Sequence, residues 1–353
     1  MDVFWETSFW AHSLRTPFTR RAYSSGKPRV ALLYQALDPP IINGVRTPKE
    51  QGGYRDSGTD IAYVLREQSR VDICFPDDEQ GIIAAVHAGA NHLWANIVLF
   101  KDHSLQISSA LDTHGDIRVI GQPPLVVETF EDKHYLNGML RQRGSTVPKS
   151  CVLTPNNIDG LRTTIWRGGF TSAPSIAKPI RGRGSHGIKH CLTPQILEQH
   201  IRDLFAESPM VMVEEYLSGQ EVTVAVMPPM GHVPYLALPV VTRFGHAKCV
   251  LPPSGTVALT TDSRAVGIIE EVADRMYRRI IKECEQVAKL LQTTAPISFD
   301  VRRYRNQGGS PFAIFDVNMN PDMSGPGRPG RENQASLIGL AAEGYGINYP
   351  ELL

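Results

Sequence analysis

The sequence has no excess of charge of either sign: 36 Lys and Arg offset 36 Asp and Glu over 353 residues. A chain balanced to zero lacks the field that gathers nucleic acid or other polyanions, so the expected partners are small molecules. No C-x-x-C occurs, and the five cysteines, Cys74, Cys151, Cys191, Cys249 and Cys284, are scattered. Their odd number and wide spacing exclude a disulfide scaffold or a paired-cysteine zinc site and point to reduced thiols inside a cell. No apolar run approaches the length of a membrane span. There is no G-x-x-x-x-G-K-[ST] phosphate loop, no internal repeat and no low-complexity tract.

The first 27 residues read two ways. Arg15, Arg20 and Arg21, several hydroxyl residues and "RAYSS" look like a mitochondrial presequence, whereas Asp2 and Glu6 count against a transit peptide. The expectation is a cytoplasmic protein with a loosely docked tail over 1–27, and mitochondrial delivery is the alternative.

From residue 28 the chain alternates. Strand-like runs at Arg29–Gln35, Val71–Phe75, Ala95–Phe100 and Ile117–Gly121 are separated by helical patterns at Gly58–Glu67 and Glu79–His87. Such alternation predicts a parallel sheet, hence an α/β domain over 28–130. The long segment Ala36–Asp56 at the end of the first strand is a candidate functional loop. A second unit, 131–221, begins with a helix stopped by Gly144. It continues through two strands, a helix over Pro194–Phe205 capped by Thr193, and the strand "MVMVEEYL". A third unit, 222–353, holds "EVTVAVM", "PYLALPVV", one long amphipathic helix from Ile269 to Leu291, and two last strands.

In "PIRGRGSHGI", Gly182, Gly184 and Gly187 spell G-x-G-x-x-G. A dinucleotide turn needs a strand before those glycines and a helix after them. Here Ile188–Leu192 reads as a second strand, because Pro194 opens the next helix. The glycines therefore form a hairpin flap. Its free N–H groups, Ser185, and nearby Lys178, Arg181 and Arg183 suit phosphates.

Four features follow in order: Lys178-Pro179 with the glycine flap, "VEEYLSGQEVTVAV", Asp300 in "PISFDVRRY", and "DVNMNPDMS". As an ordered set, with "ASLIGLAAEGYGINYPELL" at the end, they resemble the ATP-grasp superfamily, and within it the D-alanine–D-alanine ligase-like group, over residues 28 to 353. The resemblance implies a Rossmann-like N-terminal domain followed by two α+β subdomains that clamp ATP. It implies Lys178, Gly184, Ser185 and Gly187 on the ATP phosphates, Glu214, Glu215 and Leu217 around adenine, and Glu221 on the ribose. Mg²⁺ (or Mn²⁺) would be held by Asp300, Asp316 and Asn318, all oxygen donors. Asp316 and Asn318, two apart on a strand, share a face. The implied reaction is amide formation between a small carboxylic or amino acid and an amine through an acyl phosphate.

Departures limit the substrate reading. Ser298 stands where the family has an Arg two residues before the metal Asp, and Arg302, Arg243 and Lys248 are candidates to replace it. Asn137 stands where a second phosphate Lys is expected, leaving Lys133 and Arg141 as substitutes. Asp316 replaces the usual Glu. No counterpart of the tyrosine-containing loop over the acceptor site is found. The longer turn "GPGRPGREN" brings Arg328 and Arg331, with Ser336 after it, as candidate substrate-binding residues that grip a carboxylate. Together these argue against D-alanyl-D-alanine as product. Alternative readings are an ATP-binding regulator without catalysis, or a carboxylate kinase or thioester-forming relative. A homodimer is left open.

Overall fold

The computed structural model describes residues 28–46, 53–67, 73–171, 173–243 and 262–353. The tail 1–27 with its presequence reading lies outside them, as do Lys248, Cys249 and the "PKEQG" run. Among the described residues no helix is long and apolar enough to cross a membrane.

The first unit carries β1 (Val30–Tyr34), a small hairpin of β2 (Ile41–Ile42) and β3 (Val45–Arg46), and helix α1 (Gly53–Glu67). Then come β4 (Ile73–Pro76), α2 (Glu79–His87), β5 (His92–Ala95), the short α3 (Ser104–Ile107) and α4 (Ser109–Asp112), and β6 (Arg118–Ile120). The sheet is parallel, in the order β4-β1-β5-β6. Alternate β1 residues enter different cores, Ala31 and Leu33 in one, Val30 and Leu32 in the other, as a strand covered on both faces requires.

One expected strand is displaced. Strand β5 ends at Ala95, and Ile97–Phe100 is buried irregular chain rather than a strand. Beyond β1 the ladder has no partner left. The Leu37 N–H donates to the buried Asp77 carboxylate (2.8 Å), and the Val98 N–H donates to Gln35 Oε1 (2.6 Å). An apolar run reports burial, not pairing.

After α5 (Pro124–Phe130) closes the first unit, the second has α6 (Lys133–Gln142), β7 (Ser150–Leu153), α7 (Leu161–Arg167), β8 (Ser175–Pro179), β9 (Lys189–Cys191), α8 (Pro194–Leu204) and β10 (Val211–Glu215). Its sheet is antiparallel, β7-β10-β8-β9. Asp132 caps α6 by accepting from Tyr135 N, and Thr193 caps α8 by accepting from Ile196 N. Because β8 and β9 pair antiparallel, the glycines lie in a hairpin and not in a strand-to-helix turn. Val45 of the first unit reaches across to pack with Ile180 and Met212.

The third unit contains β11 (Glu221–Met227), β12 (Leu236–Ala237), β13 (Val241–Arg243), β14 (Ser263–Ala265), α9 (Ile268–Ala273), α10 (Arg275–Leu290), β15 (Ile297–Arg303), β16 (Phe312–Asn318), α11 (Leu337–Tyr345) and α12 (Tyr349–Leu352). The sheet is antiparallel in the order β14-β13-β11-β15-β16, with β12 also on β11. "PYLALPVV" divides into β12 and β13 around Pro239, which has no N–H to give a ladder. The single helix expected from Ile269 to Leu291 is two helices. Asp274 between them is extended (φ −122°, ψ 99°), and its carboxylate caps Met276 N. Ile269 and Val272 are 84% and 58% exposed, so they lie outside the core, and the buried stripe starts at Tyr277. Tyr277, Ile280, Cys284 and Val287 of α10 pack with Val222, Val224, Phe299 and Val301. On the opposite face, α11 covers the Ala225 and Val241 end, and the end bearing Glu221, Thr223 and Asp300 is turned toward the second unit.

Arg303 marks the core side. Its guanidinium lies 4.0 Å from the Phe312 ring and 4.9 Å from the Tyr277 ring, and pairs with Asp274 at 2.8 Å. Removing one partner of a buried pair strands the other charge. Arg303→Ala is therefore expected to lower unfolding stability by about 3–5 kcal/mol, read by urea titration. A loss under about 1 kcal/mol would contradict this role.

Candidate functional site

Between the second and third sheets lies an open cleft lined by Ile176, Lys178, Glu214, Tyr216, Leu217, Glu221, Arg302 and Phe315 among others. Lys178 on β8 and Glu214 on β10 share the face toward the cleft and are each 2% exposed. Lys178 Nζ meets Glu214 Oε2 at 2.8 Å and donates to the Phe315 carbonyl at 3.0 Å. Asn137 Nδ2, from α6, donates to Glu214 Oε1 at 3.0 Å. Burial pushes the Glu214 carboxyl up from its ordinary value, against the pull of the Lys178 ammonium.

The opposing wall is set by strand register. Thr223 on β11 stands opposite Asp300 on β15, which stands opposite Asp316 on β16. Glu221 faces Arg302 on one side of this row, and Ser298 faces Asn318 on the other. A bulge interrupts β16: Asp300 pairs with Asp316 but Val301 pairs with Ile314, so Phe315 is the extra residue. The bulge lets Phe315 and Asp316, adjacent in sequence, both line the cleft. Thr223 Oγ1 donates to Asp300 Oδ1 at 2.7 Å. Burial pushes the Asp300 carboxyl up to about 6; Arg243 pulls it down, and the negative charges of Glu221 and Asp316 raise it.

Two carboxylates directly opposed, with the Asn318 amide one residue pair along, suit a hard divalent cation. Among the described residues no group of three or more His, Cys, Asp or Glu side chains comes together to hold a metal. Three oxygen donors from Asp300, Asp316 and Asn318 would leave most of an octahedral shell to other oxygens, which suits Mg²⁺ better than a closed protein cage would.

The flap closes the far end. Gly184, Ser185 and Gly187 have φ of 64°, 59° and 70°, the left-handed region that glycine enters without strain. A Cβ on Gly187 would come within 2.9 Å of Leu204 and Pro179. Arg181 donates to the Glu128 carbonyl (2.7 Å), and Arg183 pairs with Glu131 (2.7 Å), so both brace the flap's base. Lys133, at the start of α6, meets Gly182 O at 3.1 Å and Asp316 Oδ1 at 3.3 Å.

The sequence-derived residues divide accordingly. Lys178, Ser185, Glu214, Glu215, Leu217, Glu221, Arg302 and Asp316 line one cleft, and Gly184 lines its continuation under the flap. Asp300 lies in the row beside them. Glu215 also accepts from the Lys149 N–H at 2.8 Å. Arg302 does not point free toward the metal row: it is paired with Glu221 and lies beside the Tyr216 and Phe315 rings. Arg243 occupies the same sheet and acts on Asp300, and its Nε is buried with no hydrogen-bond partner. Arg328 and Arg331 do grip a carboxylate, but it is the chain's own fully buried Asp60 on α1, at 2.6 Å and 3.0 Å. The Ser336 hydroxyl caps α11 by accepting from Gly339 N at 3.1 Å. Sequence reasoning missed Asp60 altogether. Of the positions expected near the phosphates, Lys133 lines the space under the flap, whereas Asn137 is buried and donates to Glu214.

The D-ala D-ala ligase C-terminus family matches residues 153–241. D-alanine–D-alanine ligase of Gloeobacter violaceus is 25% identical over 181 residues, 51% of this chain and 53% of that protein. The chain thus spans about half the length of that relative. D-alanine–D-alanine ligase A of Bacillus cereus is 25% identical over 63% of this chain and 65% of its own length. Among solved structures, D-alanine–D-alanine ligase from Bacillus anthracis complexed with ATP superposes with a TM-score of 0.64 at 18% identity, covering 92% of this chain and 94% of that one. Residues 153–241 thus resemble the D-ala D-ala ligase C-terminus, and the chain has the fold of the D-alanine–D-alanine ligases. VanG D-Ala:D-Ser ligase from Enterococcus faecalis shares that fold, with a TM-score of 0.63 at 16% identity over 93% of this chain and 97% of its own.

Asp60 pairs with both Arg328 and Arg331 and so ties the first unit to the turn after β16. Asp60→Ala should cost about 3–5 kcal/mol of stability, measured by thermal unfolding. A variant as stable as the parent would show that solvent replaces the tie.

Proposed function

We propose that the protein is an ATP- and Mg²⁺-dependent ligase joining a small carboxylic or amino acid to an amine. The observation that carries this reading is the facing of two walls. The Lys178–Glu214 pair lies on one, and the row Thr223, Asp300 and Asp316 on the other, with the glycine flap over their phosphate end. In this reading 131–221 and 222–353 close on ATP, and 28–130 completes the substrate side.

Mg²⁺ held by Asp300, Asp316 and Asn318 would neutralise phosphate charge. Lys178 holds a nucleotide phosphate, the flap N–H groups cover the terminal phosphates, and Glu214 with the main chain at Glu215–Leu217 reads adenine. Glu221, steered by Arg302, holds the ribose hydroxyls. A substrate carboxylate attacks the γ-phosphate, giving an acyl phosphate and ADP; the amine then displaces phosphate to form the amide. These steps need positioning and charge stabilisation more than covalent chemistry from the protein. Arg243, with its buried unpartnered Nε beside Asp300, is better placed than Arg302 to meet the transferred phosphate.

The direct test is ADP release from ATP with pooled amino acids and small carboxylates, each with and without amines. Release that needs a carboxylate but never an amine would instead assign a carboxylate kinase. No release with any pair would leave an ATP-binding regulator, the reading that neutral Ser298 and Asn137 favour. Asp316→Ala and Asn318→Ala should each abolish turnover, with unfolding curves close to the parent's; near-normal ADP release by either would refute the metal assignment.

The two arginines separate kinetically. Arg243→Ala should lower kcat by about two to three orders of magnitude. Arg302→Ala should raise KM for ATP roughly tenfold with kcat nearly kept, because it frees Glu221 rather than the reacting phosphate. The reverse pattern would return the transition-state role to Arg302.

A further inference from the structure

Past Ala177 and Lys189 the β8–β9 ladder stops. Continuing its register would set Pro179 opposite Gly187, and proline has no N–H to offer a facing strand. The Pro179 ring packs instead where a Gly187 side chain would begin, 2.9 Å away. The Gly187 carbonyl finds a donor in another element: His200 Nε2, on α8, meets it at 2.9 Å. A carbonyl only accepts, so that ring nitrogen carries the proton. Burial pulls the His200 imidazole below its ordinary value, against the Gly187 carbonyl, which favours the charged form.

The same side of α8 makes two further contacts with the flap's return limb. Leu204, one turn beyond His200, also lies 2.9 Å from the Gly187 Cβ position, and His186 pairs with Glu207 just past the helix. The outgoing limb is held by other means, Arg181 on the Glu128 carbonyl and Arg183 on Glu131.

The His200 bond carries further than Gly187. The Gly187 carbonyl and the Ile188 N–H belong to one planar peptide, so fixing the first aims the second. Ile188 N–H donates to the Ser185 carbonyl at 3.1 Å and closes the tip of the flap. Ser185, held at a φ of 59°, lines both the cleft and the space under the flap.

We infer that His200 is a positioning residue of the nucleotide site. It stands in for the N–H that Pro179 lacks, and through the Gly187–Ile188 peptide it holds Ser185 and the return limb over the phosphate end of the cleft. It acts through the backbone and touches no ligand itself. This rests on the ATP reading above.

The test uses the full chain with two variants. His200→Leu removes the donor and keeps an apolar contact; His200→Gln keeps an N–H donor at about the reach of Nε2. Amide exchange is followed without nucleotide, and Mg–ATP affinity by calorimetry. His200→Leu should exchange the Ile188 amide several-fold faster than the parent, with β11 and β15 amides unchanged. It should bind Mg–ATP about three- to tenfold more weakly, the range for one neutral hydrogen bond. His200→Gln should recover most of both. A parent that binds Mg–ATP while His200→Leu binds it equally well overturns the inference and leaves the ATP reading standing, as does Ile188 exchange unchanged in His200→Leu. His200→Gln that is as impaired as His200→Leu also overturns it, since ring packing rather than the donor would then hold the limb. A parent that binds no Mg–ATP overturns both.

Discussion

The fold turns on a lysine and a glutamate buried together. Taking Lys178 and Glu214 out of water is costly, and the cost is offset only if every remaining donor and acceptor is met. Here partners come from four elements: β8 and β10 bring the pair, α6 brings Asn137 to Glu214, and the β16 bulge brings the Phe315 carbonyl to Lys178. The second and third units are thus joined by charge satisfaction at the Phe315 carbonyl as well as by apolar packing, Leu136 and Leu140 of α6 sharing a core with Val222 and Phe299. The same requirement aims the lysine into the space between them.

The bulge is the second determinant. In a regular β16, Phe315 would point into the core with Ile314's neighbours reversed, and its carbonyl would belong to the ladder. One extra residue places an aromatic side and a carboxylate next to one another on the cleft wall, and leaves a carbonyl for Lys178. The Phe315 ring and the Asp316 carboxylate on the cleft wall are therefore products of a single irregularity.

Much of this was legible in the chain. The strand–glycine–strand hairpin followed from Pro194 and the Thr193 cap, and the observed antiparallel β8–β9 pairing has the same cause. The shared face of Asp300 and Arg302 followed from strand period, but period says nothing of what a side chain meets there, and Arg302 meets Glu221. Helical spacing ran on from Ile269 through Val272 because periodicity cannot see a cap: Asp274 breaks the helix to serve Met276 and Arg303. Buried "IVLF" imitated a strand for want of any sign of where β1 would stop. Arg328 and Arg331 were expected to grip a carboxylate, and nothing local announces that the accepting Asp60 lies 268 and 271 residues earlier.

That long tie sets how the chain divides. Asp60 belongs to the parallel-sheet unit by sequence, yet its carboxylate is enclosed by arginines from the turn after β16. Gly327 approaches so closely that a Cβ would lie 2.5 Å from the Asp60 carbonyl. A fragment starting after α1 would carry two guanidinium groups shaped around a counterion it no longer has. The boundaries that strand order suggests are thus not lines along which the protein comes apart: its pieces are inherited as one body, and exchanging the first unit with a relative's would transplant half of an ionic lock.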